Sequence, residues 1–491
     1  MFAYLRRLIV VLAAAACVAL PSYAQTGPTV DAPAGVLAGQ MDGAVRVFKG
    51  IPYALPPVGA ARWQPPGAMP RWAGVRPATQ FGLPCFQPKF PGTNIYANDL
   101  GAMSEDCLFL NVWAPANAAK APVLVWIHGG ALTTGSSSEA IYDGARLAGR
   151  GIVVVSINYR LGVFGWLAHP ELSAQSPLKV SGNYGLLDQI AALQWVQRNA
   201  EAFGGDPGNV TIFGESAGGE SVGLLMTSPL AKVLFAKAIS ESGGLFEPVT
   251  KIADARKGAL DFATKLKAVS VADLRAASVA QVLAADDDDD GPVLDGKVLL
   301  EDPRDAFAAG RMAHIPFLAG TNSAEGSQIG PGNSDWLVKL LGDRLAAVRK
   351  LYDTTDDMEF RRQLFSDRFF TGPTRELAAA ASTRANVFVY RFGFLNARAH
   401  MRGETGVPHG GEMAFVFGFG PLAALAPPQD LAVVDLMQGY WTNFAKTGNP
   451  NGDNLPGWPR YEGVSPQTLV IEDTAHAVPD FRKAQLDAAR P

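Results

Sequence analysis

The stretch "TIFGESAGGESVG" (residues 211–223) sets Ser216 between Gly214 and Gly218, directly behind a run of β-forming residues. The pattern Gly-x-Ser-x-Gly is weak on its own, because an idle glycine-rich turn has the same spelling. Its setting gives it weight. "NVTIF" (209–213) reads as a strand, and Ala217 to Met226 as the start of a helix. On such a strained strand-to-helix turn, small neighbours let strand and helix pass close together, and the helix N-terminus lies beneath any negative charge that develops. Ser216 is therefore read as a nucleophile rather than a hinge.

The flanking segments supply the frame. "APVLVWIHGG" (121–130) is an apolar strand ending in glycines, and "GIVVVSINYR" (151–160) is a second buried strand. "GLLDQIAALQWVQRNAEAFGG" (185–205) carries Leu186, Ile190, Leu193, Val196 and Phe203 at helical spacing and closes on a glycine pair. "KVLFAKAISESGG" (232–244) is another β-type run. Continuous apolar strands separated by helices predict a mostly parallel sheet covered on both faces, an α/β fold. Ligands in such sheets sit at the carboxyl ends of the strands, where both glycine-rich stretches, 128–135 and 214–219, fall.

A serine hydroxyl needs a base to take its proton. In the strand–turn–helix hydrolases the base comes last in the chain, after the acid, which leaves His400, His409 and His476 of the six histidines. His409, in "GVPHGGEMAFVFG" (406–418), stands on a glycine-flanked loop before an apolar run and is favoured. His400 lies in a polar stretch and His476 in the C-terminal tail. The acid must precede the base, to hold the imidazole tautomer. "IPFLAGTNSAEGSQ" (315–328) is an apolar strand followed by a polar loop carrying Glu325, whereas Asp295, Asp302 and Asp305 follow no such strand. For an oxyanion, "WIHGGALTTG" (126–135) offers the N–H groups of Gly130 and Ala131, and Ala217 a third. Each such donor is worth about 2.7–4 kcal/mol in a transition state. His128 reads as structural, since the base has a better-ordered candidate.

Composition narrows the remainder. The 491 residues are 48% hydrophobic and 18% charged, with a net charge of −4, so this is a globular chain with no basic surface for nucleic acid. The first residues, "MFAYLRRLIVVLAAAACVALPSYAQ", have a cationic end, an apolar run of about 13 residues and a small-x-small site before Gln25, the pattern of a cleaved export signal over 1–24. That run is too short to span a bilayer. Lipidation at Cys17 is the minor alternative. Loss of the leader removes Arg6 and Arg7 and leaves a net charge near −6. It also leaves Cys85 and Cys107 as an isolated pair, which in an oxidising compartment reads as a disulfide and, without a histidine cluster, not as a metal site. The run "AADDDDDGP" (284–292) reads as a solvated loop. Repeats and long linkers are absent, so residues 25–491 are expected to form one domain.

Taken together, the motifs resemble those of the type B carboxylesterase family, the group of carboxylesterases, cholinesterases and p-nitrobenzyl-esterase-like enzymes within the α/β-hydrolase superfamily. The segments that carry the resemblance run in order along nearly the whole mature chain: "VFKGIPYALPPVGAARWQPP" (47–66), "SEDCLFLNVWAP" (104–115), "YDG" (142–144), "INYRLGVFGWL" (157–167), "GNYGLLDQ" (182–189), "GDPGNVTIFGESAGG" (205–219), "GTNSAEG" (320–326), "HGGEMAFVFG" (409–418) and "WTNFAKTGNPNG" (441–452). The resemblance implies Ser216 as nucleophile, Glu325 as acid, His409 as base, and Gly130, Ala131 and Ala217 as the oxyanion hole. It implies that Cys85 and Cys107 close the family's first disulfide loop, and that Glu215 and Ser221 match positions supporting the site from beside the triad. There are departures. Ala131 stands where many members have a third glycine, and Leu132 where an aromatic is frequent. The Cys85–Cys107 loop carries Tyr96 but no tryptophan, so choline esters are not the expected substrate.

The resulting expectation is an exported, periplasmic or secreted, serine carboxylesterase of α/β-hydrolase fold, with insertions around an active-site gorge. It would act on small-molecule esters without metal or organic cofactor. Triad chemistry also admits amides, carbamates or a specialised toxin or polymer ester, and the same fold includes non-catalytic binding proteins.

Overall fold

The computed structural model describes residues 27–89, 99–244, 248–287 and 291–490. The expected export leader with Cys17, Tyr96 and the end of the aspartate run lie outside the described residues.

Eleven strands form the main sheet. In chain order they are β1 (Gln40–Asp42), β2 (Val45–Pro52), β3 (Phe109–Pro115), β4 (Ala121–Ile127), β5 (Val153–Ile157), β6 (Gly205–Glu215), β7 (Lys237–Glu241), β8 (Phe317–Asn322), β9 (Val387–Phe392), β10 (Gln467–Ile471) and β11 (Ala475–Pro479). In space the order is β11-β10-β9-β8-β7-β6-β4-β5-β3-β2-β1. Neighbours from β10 through to β5 pair in parallel, and the strands at both ends pair antiparallel. The predicted mostly parallel sheet is thus present, with antiparallel edges that the local patterns did not reveal.

Side chains alternate across each strand, so one apolar run feeds two cores. Val123, Val125, Ile127, Val210 and Ile212 pack on one face with Leu186, Ile190, Leu193 and Val196 of helix α1 (Tyr184–Asn199) and Val222 and Leu225 of helix α2 (Ala217–Thr227). Leu124, Trp126 and Phe213 pack on the other with Val433, Met437 and Trp441 of helix α3 (Pro428–Thr447). Each large apolar side chain buried this way contributes about 1.5–3 kcal/mol. The α-helix expected over 185–205 stops at Asn199. A 3₁₀ turn, Ala200–Phe203, takes over and ends on left-handed Gly204. Phe203 is buried from that turn, which explains why it kept an apolar rhythm.

Strand β6 runs further than "NVTIF", up to Glu215, because β4 and β7 hydrogen-bond it on both sides as far as Gly214 and Glu215 respectively. The serine therefore follows the last paired residue directly. Arg160, just past β5, and Asp188 of α1 form a buried two-pronged ion pair, with both N–O distances 2.7 Å. This pins the helix beside the strand ends that carry the candidate site.

Candidate active site

Ser216 occupies a strained position, with φ 55° and ψ −125° between β6 and α2. Left-handed φ is uncommon outside glycine and is held here by the surroundings. The Ser216 N–H donates to the Glu241 carbonyl at the end of β7 (2.8 Å). Crowding explains the glycine at 218, where a Cβ would lie 2.0 Å from the Ile127 carbonyl of β4. Gly129 has a similar reason: its Cβ would meet the Glu215 carbonyl at 2.7 Å and Ser216 Cβ at 3.1 Å. The "HGGA" loop therefore lies directly against the serine.

The three side chains singled out from sequence lie in one hydrogen-bonded chain. His409 Nε2 is 2.8 Å from Ser216 Oγ, and His409 Nδ1 is 2.6 Å from Glu325 Oε2. A carboxylate only accepts, so Nδ1 carries a proton, and in the neutral ring Nε2 is left to accept from the serine hydroxyl. Glu325, just beyond β8, is itself held by two donors on Oε1, the Asn322 N–H and the Ser242 hydroxyl, each 2.6 Å away. Phe370 packs on the imidazole with ring centroids 4.9 Å apart.

The alternatives fall elsewhere. His400 is exposed on a short helix, Ala397–Met401, and His476 is exposed on the edge strand β11. His128 is buried, stacks on Tyr159 at 4.4 Å, and is pushed down to about 4 by burial, so it is a neutral packing group of the loop. Ser221 is buried in α2, where Gln189 of α1 donates to it (3.0 Å), a contact that joins two helices.

Sequence reasoning missed the number of buried carboxylates here. Glu215, Glu241, Glu325 and Glu412 are all buried. Glu215 Oε1 lies 3.4 Å from His409 Nε2. Trp441 Nε1–H donates to Glu241 (2.8 Å), and the Asn322 amide donates to Glu412. Burial raises the Glu241 carboxyl, with the charge of Glu215 adding to it. Glu412 is raised well above the ordinary range by burial and then by its carboxylate neighbours. Glu241, raised to about 8, is thus held as a neutral acid near pH 7, and Glu412 is shifted in the same direction, which limits the negative charge packed around one imidazole. Their letters gave little signal, since Glu241 sits inside an apolar strand and Glu412 inside "HGGE".

Gly130, Ala131 and Leu132 all have left-handed φ (104°, 54° and 61°). Such a turn, beside the N-terminus of α2 where Ala217 N–H has no acceptor within its own helix, makes a concavity suited to negative charge. Cys85 and Cys107 are joined by a disulfide. Among the described residues, no group of three or more His, Cys, Asp or Glu is placed to hold a metal ion, and no helix is long and apolar enough to cross a membrane. The disulfide is compatible with export.

A strand–turn–helix serine, reached by a histidine and carboxylate from later loops of a parallel sheet, defines a hydrolase site of the α/β type. The chain belongs to the carboxylesterase family, whose model matches residues 26–339 and 333–488, and it is a carboxylic ester hydrolase. It is 38% identical to the para-nitrobenzyl esterase of Bacillus subtilis (strain 168), over 92% of this chain and 96% of that one. It is 37% identical to the fumonisin B1 esterase of Sphingopyxis macrogoltabida, over 86% and 82%. A solved p-nitrobenzyl esterase structure superposes with a TM-score of 0.84 at 35% identity, covering 95% of this chain and all of that one.

Proposed function

We propose that Ser216, His409 and Glu325 are the catalytic triad of this esterase, with the N–H groups of Gly130, Ala131 and Ala217 as its oxyanion hole. Ser216 Oγ attacks the ester carbonyl as its proton passes to His409 Nε2, and Glu325 stabilises the resulting imidazolium. The negative oxygen of the tetrahedral intermediate accepts from the three N–H groups. His409 gives its proton to the departing alkoxide, which leaves as the alcohol. Water then repeats the sequence on the acyl-serine, releasing the carboxylic acid and restoring the hydroxyl. Residues 1–24 are taken as a cleaved export leader and 25–491 as one catalytic domain; the disulfide supports an oxidising compartment.

The observation that carries the reading is the chain of hydrogen bonds from Ser216 through His409 to Glu325. A fluorophosphonate that labels the protein at Ser216, with loss of hydrolysis of short p-nitrophenyl esters, is the expected result. Labelling at any other residue would overturn the assignment. A panel of p-nitrophenyl esters of increasing acyl length, beside matched anilides, separates ester from amide cleavage. Fumonisin B1, or a similar specialised ester, is a second reading, favoured by the 37% identity to a fumonisin B1 esterase. Fumonisin B1 in the same panel tests it through release of a free carboxylic acid.

A further inference from the structure

A cavity of about 430 Å³ opens between helix α4 (Gly372–Ser382), the C-terminal helix Lys483–Ala489 and strands β9 and β10. Ser216, His409 and Glu325 are not in its wall. Four cations are: Arg375, Arg391, Lys483 and Arg490. Three are already matched, since Arg375 and Lys483 both bind Asp487 at 2.6 Å and Arg490 binds Glu376 at 2.9 Å. Arg391, on β9, has no carboxylate within 4.0 Å among the described residues. One of its N–H groups donates to the Ser323 carbonyl (2.9 Å), and its guanidinium lies over the Phe481 ring at 5.2 Å. Burial, then the nearby charge of Arg482, outweighs the pull of the more distant Asp367, Glu472 and Glu325 and lowers it to about 10, so it stays charged at neutral pH.

We propose that this cavity is a binding site for a small carboxylate with an apolar or aromatic tail, the carboxylate on Arg391 and the tail against Tyr461 and Leu486. The chemistry favours a single carboxylate. A guanidinium fork matches its two oxygens, whereas a phosphate dianion would need a second uncommitted cation, and the other three are committed. The volume is that of a small-molecule site; Val389 and Ala379 add apolar wall, while the carboxylates there, Glu376, Asp480 and Asp487, include the two that pair with Arg490, Arg375 and Lys483. The ligand class is that of the acid every ester hydrolysis releases. The site lies behind the triad rather than in it. Thr321 of its wall precedes Asn322, which holds Glu325, and Thr371 follows Phe370, which packs on His409.

The test is calorimetric titration of 4-phenylbutyrate into the full chain with Ser216 blocked by a phosphonate, so that its failure leaves the esterase reading untouched. One saturable site is expected. Arg391→Met should weaken binding about tenfold or more, as loss of a charged hydrogen-bonding partner does. Ala379→Trp, which fills the cavity from α4, should abolish it, and neutral 4-phenylbutyramide should bind about tenfold or more weakly than the acid. Melting temperatures report whether each variant folds. If Arg391→Met does not, Ala379→Trp and the amide decide. No binding by the folded wild-type chain, affinity unchanged in both variants, or equal affinity for acid and amide would each overturn the proposal.

Discussion

Glu215 Oε1 lies 3.4 Å from His409 Nε2, the same ring nitrogen that meets Ser216, while Glu325 holds Nδ1 at 2.6 Å. The imidazole therefore has a carboxylate beside each nitrogen. Burial opposes a charged ring, but Glu215 and then Glu325 outweigh it and raise His409 from 6.5 to about 9. In the proposed mechanism His409 acts as a base only when neutral, so kcat/KM should climb with pH along a limb above 6.5. Glu215→Gln removes a negative charge and should move that limb to lower pH by about one unit. A pH–rate profile measured on a p-nitrophenyl ester checks this; an unmoved limb would show that Glu215 does not tune the base.

Ala131 and Gly130 share left-handed φ but differ in what they tolerate. Ala131→Gly keeps the N–H and suits φ 54°, so kcat/KM should stay within about threefold of wild type if only that N–H matters. At Gly130 a Cβ would fall 2.3 Å from the Thr134 carbonyl at φ 104°. Gly130→Ala should therefore cost about 2 kcal/mol or more, seen as a lowered denaturation midpoint.

The raised carboxyls of Glu241 and Glu412 make a prediction with a definite sign. Their carboxyls are raised in the fold above the ordinary 4.5, so the native state binds protons that the unfolded chain has released. Their contribution to stability is complete below 4.5 and is lost as pH rises toward the raised values. Glu241→Gln and Glu412→Gln mimic the protonated acids and should flatten the fall in melting temperature between pH 5 and 8, a range chosen to bracket that rise. A wild-type melting temperature that climbs across this window, or variants with the same slope, would refute it.

The Cys85–Cys107 disulfide closes a loop with a separation of 22 residues. In the chain-entropy view it should contribute about 3 kcal/mol. The double variant Cys85→Ser, Cys107→Ser should unfold at correspondingly lower denaturant, and reduction of the wild type should reproduce much of that loss. Equal stability with and without the bond would show that strain or residual structure cancels the entropy.

Much of this molecule is legible in local patterns. Runs such as "VLVWI" and "VTIF" are apolar throughout because a parallel strand is covered on both faces, and that signal needs no tertiary knowledge. Ser216, Glu325 and His409 each stand on a loop just past or between such elements, in an order that topology demands, so they could be singled out one at a time. Their partners could not. Asn322 and Ser242 belong to different strand ends, and nothing in either neighbourhood signals that they meet on one carboxylate oxygen.

The turn at Ser216, the sheet and the placing of Glu325 and His409 after strand ends follow from short-range spacing, because steric and hydrophobic periodicities act over a few residues. The charge around His409 and the uncommitted charge on Arg391 do not. Electrostatic interaction depends on distance and burial between groups far apart in the chain, and those are set only when β6, β7, β8 and the loop bearing His409 converge.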